Sequence, residues 1–103
     1  MISGGVRNSV IGNTTSDQAA GIGIRTDLNV VQGNSANRNS QGGIGVGSGS
    51  NNVIQGNMVA QGTGGSDLFE VDPVTCPNTW QNNIYLTDNE VGAGAGPGAG
   101  CVR

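Results

Sequence analysis

Asn29-Val30-Val31-Gln32-Gly33-Asn34 and Asn52-Val53-Ile54-Gln55-Gly56-Asn57 are one six-residue phrase written twice, 23 residues apart. The phrase occurs twice more, as Asn8-Ser9-Val10-Ile11-Gly12-Asn13 and Asn78-Thr79-Trp80-Gln81-Asn82-Asn83. Its pattern is Asn-x-apolar-x-Gly/Asn-Asn, and the leading Asn recurs at spacings of 21, 23 and 26 residues. Four successive occurrences, with both asparagines kept each time, mark an internal repeat.

Two more positions recur between the phrases. Seven residues after each leading Asn stand Thr15, Ala36, Val59 and Tyr85. Further on come Gly21-Ile22-Gly23-Ile24, then Gly43-Ile44-Gly45-Val46, then Asp67-Leu68-Phe69. No segment has helical periodicity, and Ile22/Ile24 and Ile44/Val46 alternate as strands do. Each unit of about 22 residues therefore reads as one coil of three short strands, stacked in parallel on the next at about 4.8 Å. The fold class is all-β, a parallel solenoid of about three to four coils. Val10, Val31, Ile54 and Trp80 form one inward column, and Ile22, Ile44 and Leu68 another. A single coil cannot bury these residues, whereas a stack makes a continuous core.

The asparagines fall where strands end and the chain bends. Asn and Gly tolerate φ > 0 there, and stacked amides can bond from coil to coil. Asn8, Asn29, Asn52 and Asn78 are expected to form one ladder, and Asn13, Asn34, Asn57 and Asn83 a second.

Composition excludes several functions. The net charge is -3 and the four basic residues (Arg7, Arg25, Arg38, Arg103) do not cluster, so no nucleic-acid footprint is present. There is no His, which removes imidazole as base or ligand. No apolar run is long enough to span a membrane as a helix.

Asn-x-Val/Ile-x-Gly-Asn units alternating with Gly-Ile-x-Val resemble the right-handed parallel β-helix repeat proteins, the superfamily of pectate lyases, polygalacturonases, alginate epimerases and NosD-like proteins. Gly64-Gly65-Ser66-Asp67-Leu68-Phe69, with Cys76, the Asn78–Asn83 phrase and Cys101, resembles the C-terminal end of secreted members. The resemblance spans residues 1 to about 90 and implies right-handed coils with a C-terminal cap over 1–90, followed by a Gly/Ala-rich tail over 91–103. It implies an extracellular or periplasmic location. A Cys76–Cys101 disulfide would tie the tail over the last coil, and two free thiols are the alternative. The stretch from Gly92 to Gly100 reads as a flexible tether.

The two ends differ. Ile2 precedes Asn8 by six residues, as Val46 precedes Asn52, so the first coil begins partway round and carries no cover. That edge is expected to meet upstream coils or to self-associate. Phe69, Trp80 and Tyr85 all lie in the last third, where large side chains would close the core. A sugar-stacking platform is the competing reading of Trp80 and Tyr85.

Enzymes of this superfamily work in a groove along one sheet. Lyases pair Asp-bound Ca²⁺ with a basic residue, and hydrolases use clustered Asp, so both need carboxylates close together. Arg25 and Asp27 are the nearest catalytic constellation, but the next coil carries Gly47 and Gly49 at the matching positions. Asp67, Glu70 and Asp72 are the densest acidic group and the candidate Ca²⁺ site. The run from Gly62 to Phe69 holds only one nonapeptide of the Ca²⁺-binding β-roll type, so a loop and cap role is favoured and no cofactor is required. Asn13-Thr14-Thr15 is a glycosylation sequon. The threonines do not stack in a column, which argues against ice binding.

The expected function is thus the structural C-terminal part of an exported, carbohydrate-associated β-helix with polysaccharide as partner and no complete active site. A polysaccharide lyase or glycoside hydrolase is the alternative, and a structural or adhesive surface repeat is a further one.

Overall fold

A computed structural model describes residues 2, 4–16, 20–39, 42–60, 66–90, 92–97 and 99–103. The repeats become ten short strands: β1 (Ser9–Ile11), β2 (Thr14–Ser16), β3 (Ala20–Ile24), β4 (Val30–Gln32), β5 (Ser35–Asn37), β6 (Gly42–Val46), β7 (Val53–Gln55), β8 (Met58–Ala60), β9 (Leu68–Phe69) and β10 (Thr79–Gln81). They build three parallel sheets, ordered β1-β4-β7-β10, β2-β5-β8 and β3-β6-β9. Every pairing joins a strand to its equivalent one repeat later, the arrangement of a parallel β solenoid. Ile2 pairs with Ile24 and starts a further rung on the third sheet, while Met58 with Ile84 and Leu68 with Asp88 carry the second and third sheets into the last coil.

Register follows the phrase. Val10 faces Val31, Val31 faces Ile54, and Ile54 faces Trp80. Ile22, Ile44 and Leu68 stack on the third sheet, and Ile24 stacks on Val46. These side chains are buried in one cluster, with Val10 only partly covered at its end. Thr15 pairs with Ala36 and Ala36 with Val59. From Ala36 through Val59 to the buried Tyr85 the side chains of this column enlarge, filling the core towards its last coils.

The corners correct one expectation. None of the eight ladder asparagines takes a positive φ. The residue before each second-ladder Asn does so instead: Gly12, Gly33, Gly56 and Asn82, at φ 57 to 68. At the other corner the left-handed residues include Arg7, Leu28 and Asn51. A bend is therefore one left-handed residue followed by an Asn whose side chain is free to stack. Leu28 is exposed, and its Cβ opposes φ 63. Leu28→Gly is expected to raise stability by about 0.5–1 kcal/mol, because steric relief exceeds the added unfolded-state entropy. The midpoint of urea unfolding checks this.

Phe69 does not help to close the core. Leu68 beside it points inward, so alternation turns Phe69 outward, where it is exposed and pairs with Gly45. Trp80 and Tyr85 fill the core at 3% and 4% exposure, and their rings are not presented to solvent as a sugar platform.

The tail, read as a tether, packs back onto the body. Val102 is completely buried in the core cluster. The Tyr85 hydroxyl donates to the Val102 carbonyl, and the Glu90 carboxylate accepts from the Cys101 and Val102 N–H groups at 3.0 and 2.7 Å. A Cβ on Gly100, at φ 58, would overlap that carboxylate. Gly and Ala in the intervening stretch let the chain double back, so their flexibility serves docking.

Candidate functional site

The asparagines are the most ordered polar feature. In the first ladder Asn8 Nδ2 donates to Asn29 Oδ1, Asn29 to Asn52 and Asn52 to Asn78, at 2.8 to 3.0 Å. In the second, Asn13 donates to Asn34, Asn34 to Asn57 and Asn57 to Asn83, at 3.0 to 3.3 Å. Each receiving Oδ1 also accepts the main-chain N–H of the Asn one coil earlier. A main-chain N–H can only donate, so the atom facing it is the amide oxygen and the orientation of every ladder amide is fixed.

Both ladders stop on dedicated acceptors. Asn78 Nδ2 donates to Glu70 Oε1 at 2.9 Å, and Asn83 Nδ2 donates to the main-chain oxygen of Arg103 at 2.8 Å. Glu70 is fully buried, and its Oε2 accepts the Trp80 indole N–H at 2.7 Å. Sequence reading placed Glu70 in an acidic group and missed this role. Its signal is weak: one carboxylate eight residues before the last leading Asn, outside the repeat.

The acidic group does not converge on a common point. Asp67 Oδ2 accepts the Leu86 and Thr87 N–H groups. Asp72 accepts from the Val74 N–H and from the N–H and hydroxyl of Thr75. The Thr75 hydroxyl, then the Thr75 and Val74 N–H groups, hold the Asp72 carboxyl below the ordinary value of 3.8. Among the described residues no group of three or more His, Cys, Asp or Glu side chains could hold a metal ion. The Ca²⁺-turn likeness at Gly62–Gly65 lies outside the described residues.

Arg25 and Asp27 sit on the corner after β3. Both are exposed, and no ion pair joins them. Asp27 Oδ1 accepts the Ser50 N–H at 2.8 Å, clipping this corner to the one below. Ser48 donates to the Arg25 carbonyl. Asp88 completes the pattern, accepting from the Glu90 and Gly96 N–H groups. All six described acidic residues thus accept hydrogen bonds from the chain's own donors. Asp17 lies outside the described residues.

Two features remain open to a ligand. Gly23, Gly45 and Phe69 form one register column on the third sheet, a floor without side chains ending in an exposed ring. Arg25 lies beyond the end of β3 beside it. On the first sheet Gln81 donates to Gln55 and Gln55 to Gln32, an exposed ladder of amides.

Cys76 and Cys101 form a disulfide across 25 residues, and no free cysteine remains. Reduction is expected to cost about 3 kcal/mol by releasing chain entropy in the unfolded state. A fall in the calorimetric midpoint on adding a dithiol, absent in a Cys76→Ser/Cys101→Ser variant, checks it. No helix among the described residues is long and apolar enough to cross a membrane. The chain matches no protein-family model, and no curated protein or solved structure matches it.

Proposed function

We propose that these residues form the structural, C-terminal coils and cap of an exported, carbohydrate-associated, right-handed parallel β-helix with no complete active site. The observation carrying the structural half is that all six described carboxylates accept hydrogen bonds from the chain itself. Each of them thus has a structural task within the fold, fixing a corner, a ladder end or the closing tail. The disulfide supports export, since such bonds persist in oxidising compartments. Carbohydrate association is supported by Phe69 standing at the end of the Gly23–Gly45 strip, where the face of a pyranose ring can lie flat against an aromatic.

The second reading, a polysaccharide lyase or glycoside hydrolase, is favoured by the exposed Arg25 beside the same strip. A panel of acidic and neutral polysaccharides, with and without Ca²⁺, separates the two. Binding without turnover, lost in Phe69→Ala, is the expected result. Turnover abolished by Arg25→Ala or Asp27→Ala would overturn the structural reading, and absence of binding to every polymer would overturn the carbohydrate association.

A further inference from the structure

We infer that the edge formed by β1 and β2 is a docking surface for one more parallel coil bearing asparagine at both corners, and that hydrogen-bond polarity selects this partner. The inference rests on the reading of these coils as part of a longer solenoid.

Both ladders point the same way, with amide donors towards the C-terminal coils and amide oxygens towards β1. At the C-terminal end the donors are terminated by Glu70 and Arg103. At the opposite end nothing among the described residues donates to Asn8 Oδ1 or Asn13 Oδ1. Among the described residues the N–H groups of the strand edge beside them are open as well, while the Ile11 carbonyl accepts from Asn13 Nδ2 at 3.2 Å. Asn8 O and Gly12 N bond to the β4 side, so in parallel pairing the Ser9 and Ile11 N–H groups face away from it. Over the third sheet the next rung is already begun by Ile2, whose N–H donates to the Gly23 carbonyl. The unfilled positions are those above β1 and β2.

The chain itself shows what covers such a pair of oxygens. At Asn29, Asn52 and Asn78, and again at Asn34, Asn57 and Asn83, the cover is an Asn that gives one main-chain and one side-chain N–H to the same oxygen. A second copy fits poorly. Its β1 edge offers the same amide oxygens, to which no described residue donates, and its other end has its ladder donors occupied by Glu70 and Arg103.

The test extends the full chain with a copy of residues 29–44 fused ahead of Met1. The copied asparagines then precede Asn8 and Asn13 by 23 residues, the spacing between Asn29 and Asn52. Hydrogen exchange at Ser9 and Ile11 is expected to slow at least about tenfold, and the melting temperature to rise by about 5 °C or more. The same extension with both copied asparagines changed to Asp, which sets carboxylates against the two oxygens, is expected to lose most of both gains. Unchanged exchange at Ser9 and Ile11 overturns the docking surface. Equal protection by the Asp version overturns selection by polarity, as does head-to-tail association of the unextended chain in sedimentation. No polysaccharide enters this experiment, so its failure is distinct from failure of the carbohydrate reading.

Discussion

Glu70→Ala is expected to lower the unfolding free energy by about 3–5 kcal/mol, a large part of the roughly 5–15 kcal/mol typical of a domain. Three donors lose their acceptor at once: the Trp80 indole N–H, the Asn78 amide and, at a longer 3.4 Å, the Asp72 N–H. Hydrogen bonds to a charged group contribute about 1.5–3 kcal/mol each, and the Trp80 and Asn78 donors are buried. Removing a buried carboxylate also removes its desolvation penalty, which offsets part of the loss. Glu70→Gln separates shape from charge. It keeps the volume but turns one acceptor into a donor facing Trp80 or Asn78, so it is expected to recover little. Trp80 is the only tryptophan, so its fluorescence in a denaturant titration reports on the lesion directly. A loss below about 1 kcal/mol would show that water replaces the carboxylate without cost.

Asn52→Leu is expected to cost about 3 kcal/mol or more, because the residue is fully buried and its side chain makes four hydrogen bonds. Its Oδ1 accepts both N–H groups of Asn29, and its Nδ2 donates to the Thr26 carbonyl and to Asn78. Leucine fills the space and leaves buried main-chain groups unpaired, and no gain in apolar burial compensates for that. The same change at Asn8, whose Oδ1 accepts no bond from the described residues, is expected to cost clearly less. Parallel denaturation of the two variants tests whether ladder energy depends on having a neighbour on both sides, and equal losses would reject that dependence.

The repeat made the sheets legible because side-chain alternation and coil stacking are geometric. Once Asn29 and Asn52 align, Val31 must sit over Ile54, and the three-sheet order follows. The corners were only half legible. Asn and Gly both mark bends, but the left-handed conformation went to the preceding Gly12, Gly33 and Gly56, and to Leu28, whose side chain gives no hint of it. The terminating contacts lie outside the repeat, so periodicity could not reach them. Glu70 and Val102 each occur once, and a lone apolar residue after a Gly/Ala stretch carries no signal of burial. Phe69 was misread because aromatic size suggested the core, whereas its place after the inward Leu68 turned it out. For the candidate site, the sequence places Arg25 and Asp27 two residues apart on one coil, but it could not show that Asp27 bonds the next corner.

The disulfide closes a ring from Cys76 to Cys101, and the last coil's strand β10 lies inside that ring. A protease that cuts the exposed Gly-Ala bridge near Gly92 or Ala95 therefore opens a ring and detaches nothing. Cys101, Val102 and Arg103 stay bonded to Cys76, to the Glu90 carboxylate and to Asn83. The nicked molecule keeps its closure, and only a cut combined with reduction lets it go. In a compartment rich in proteases and poor in thiols, a cut at the exposed Gly92 or Ala95 leaves the closing tail where it was.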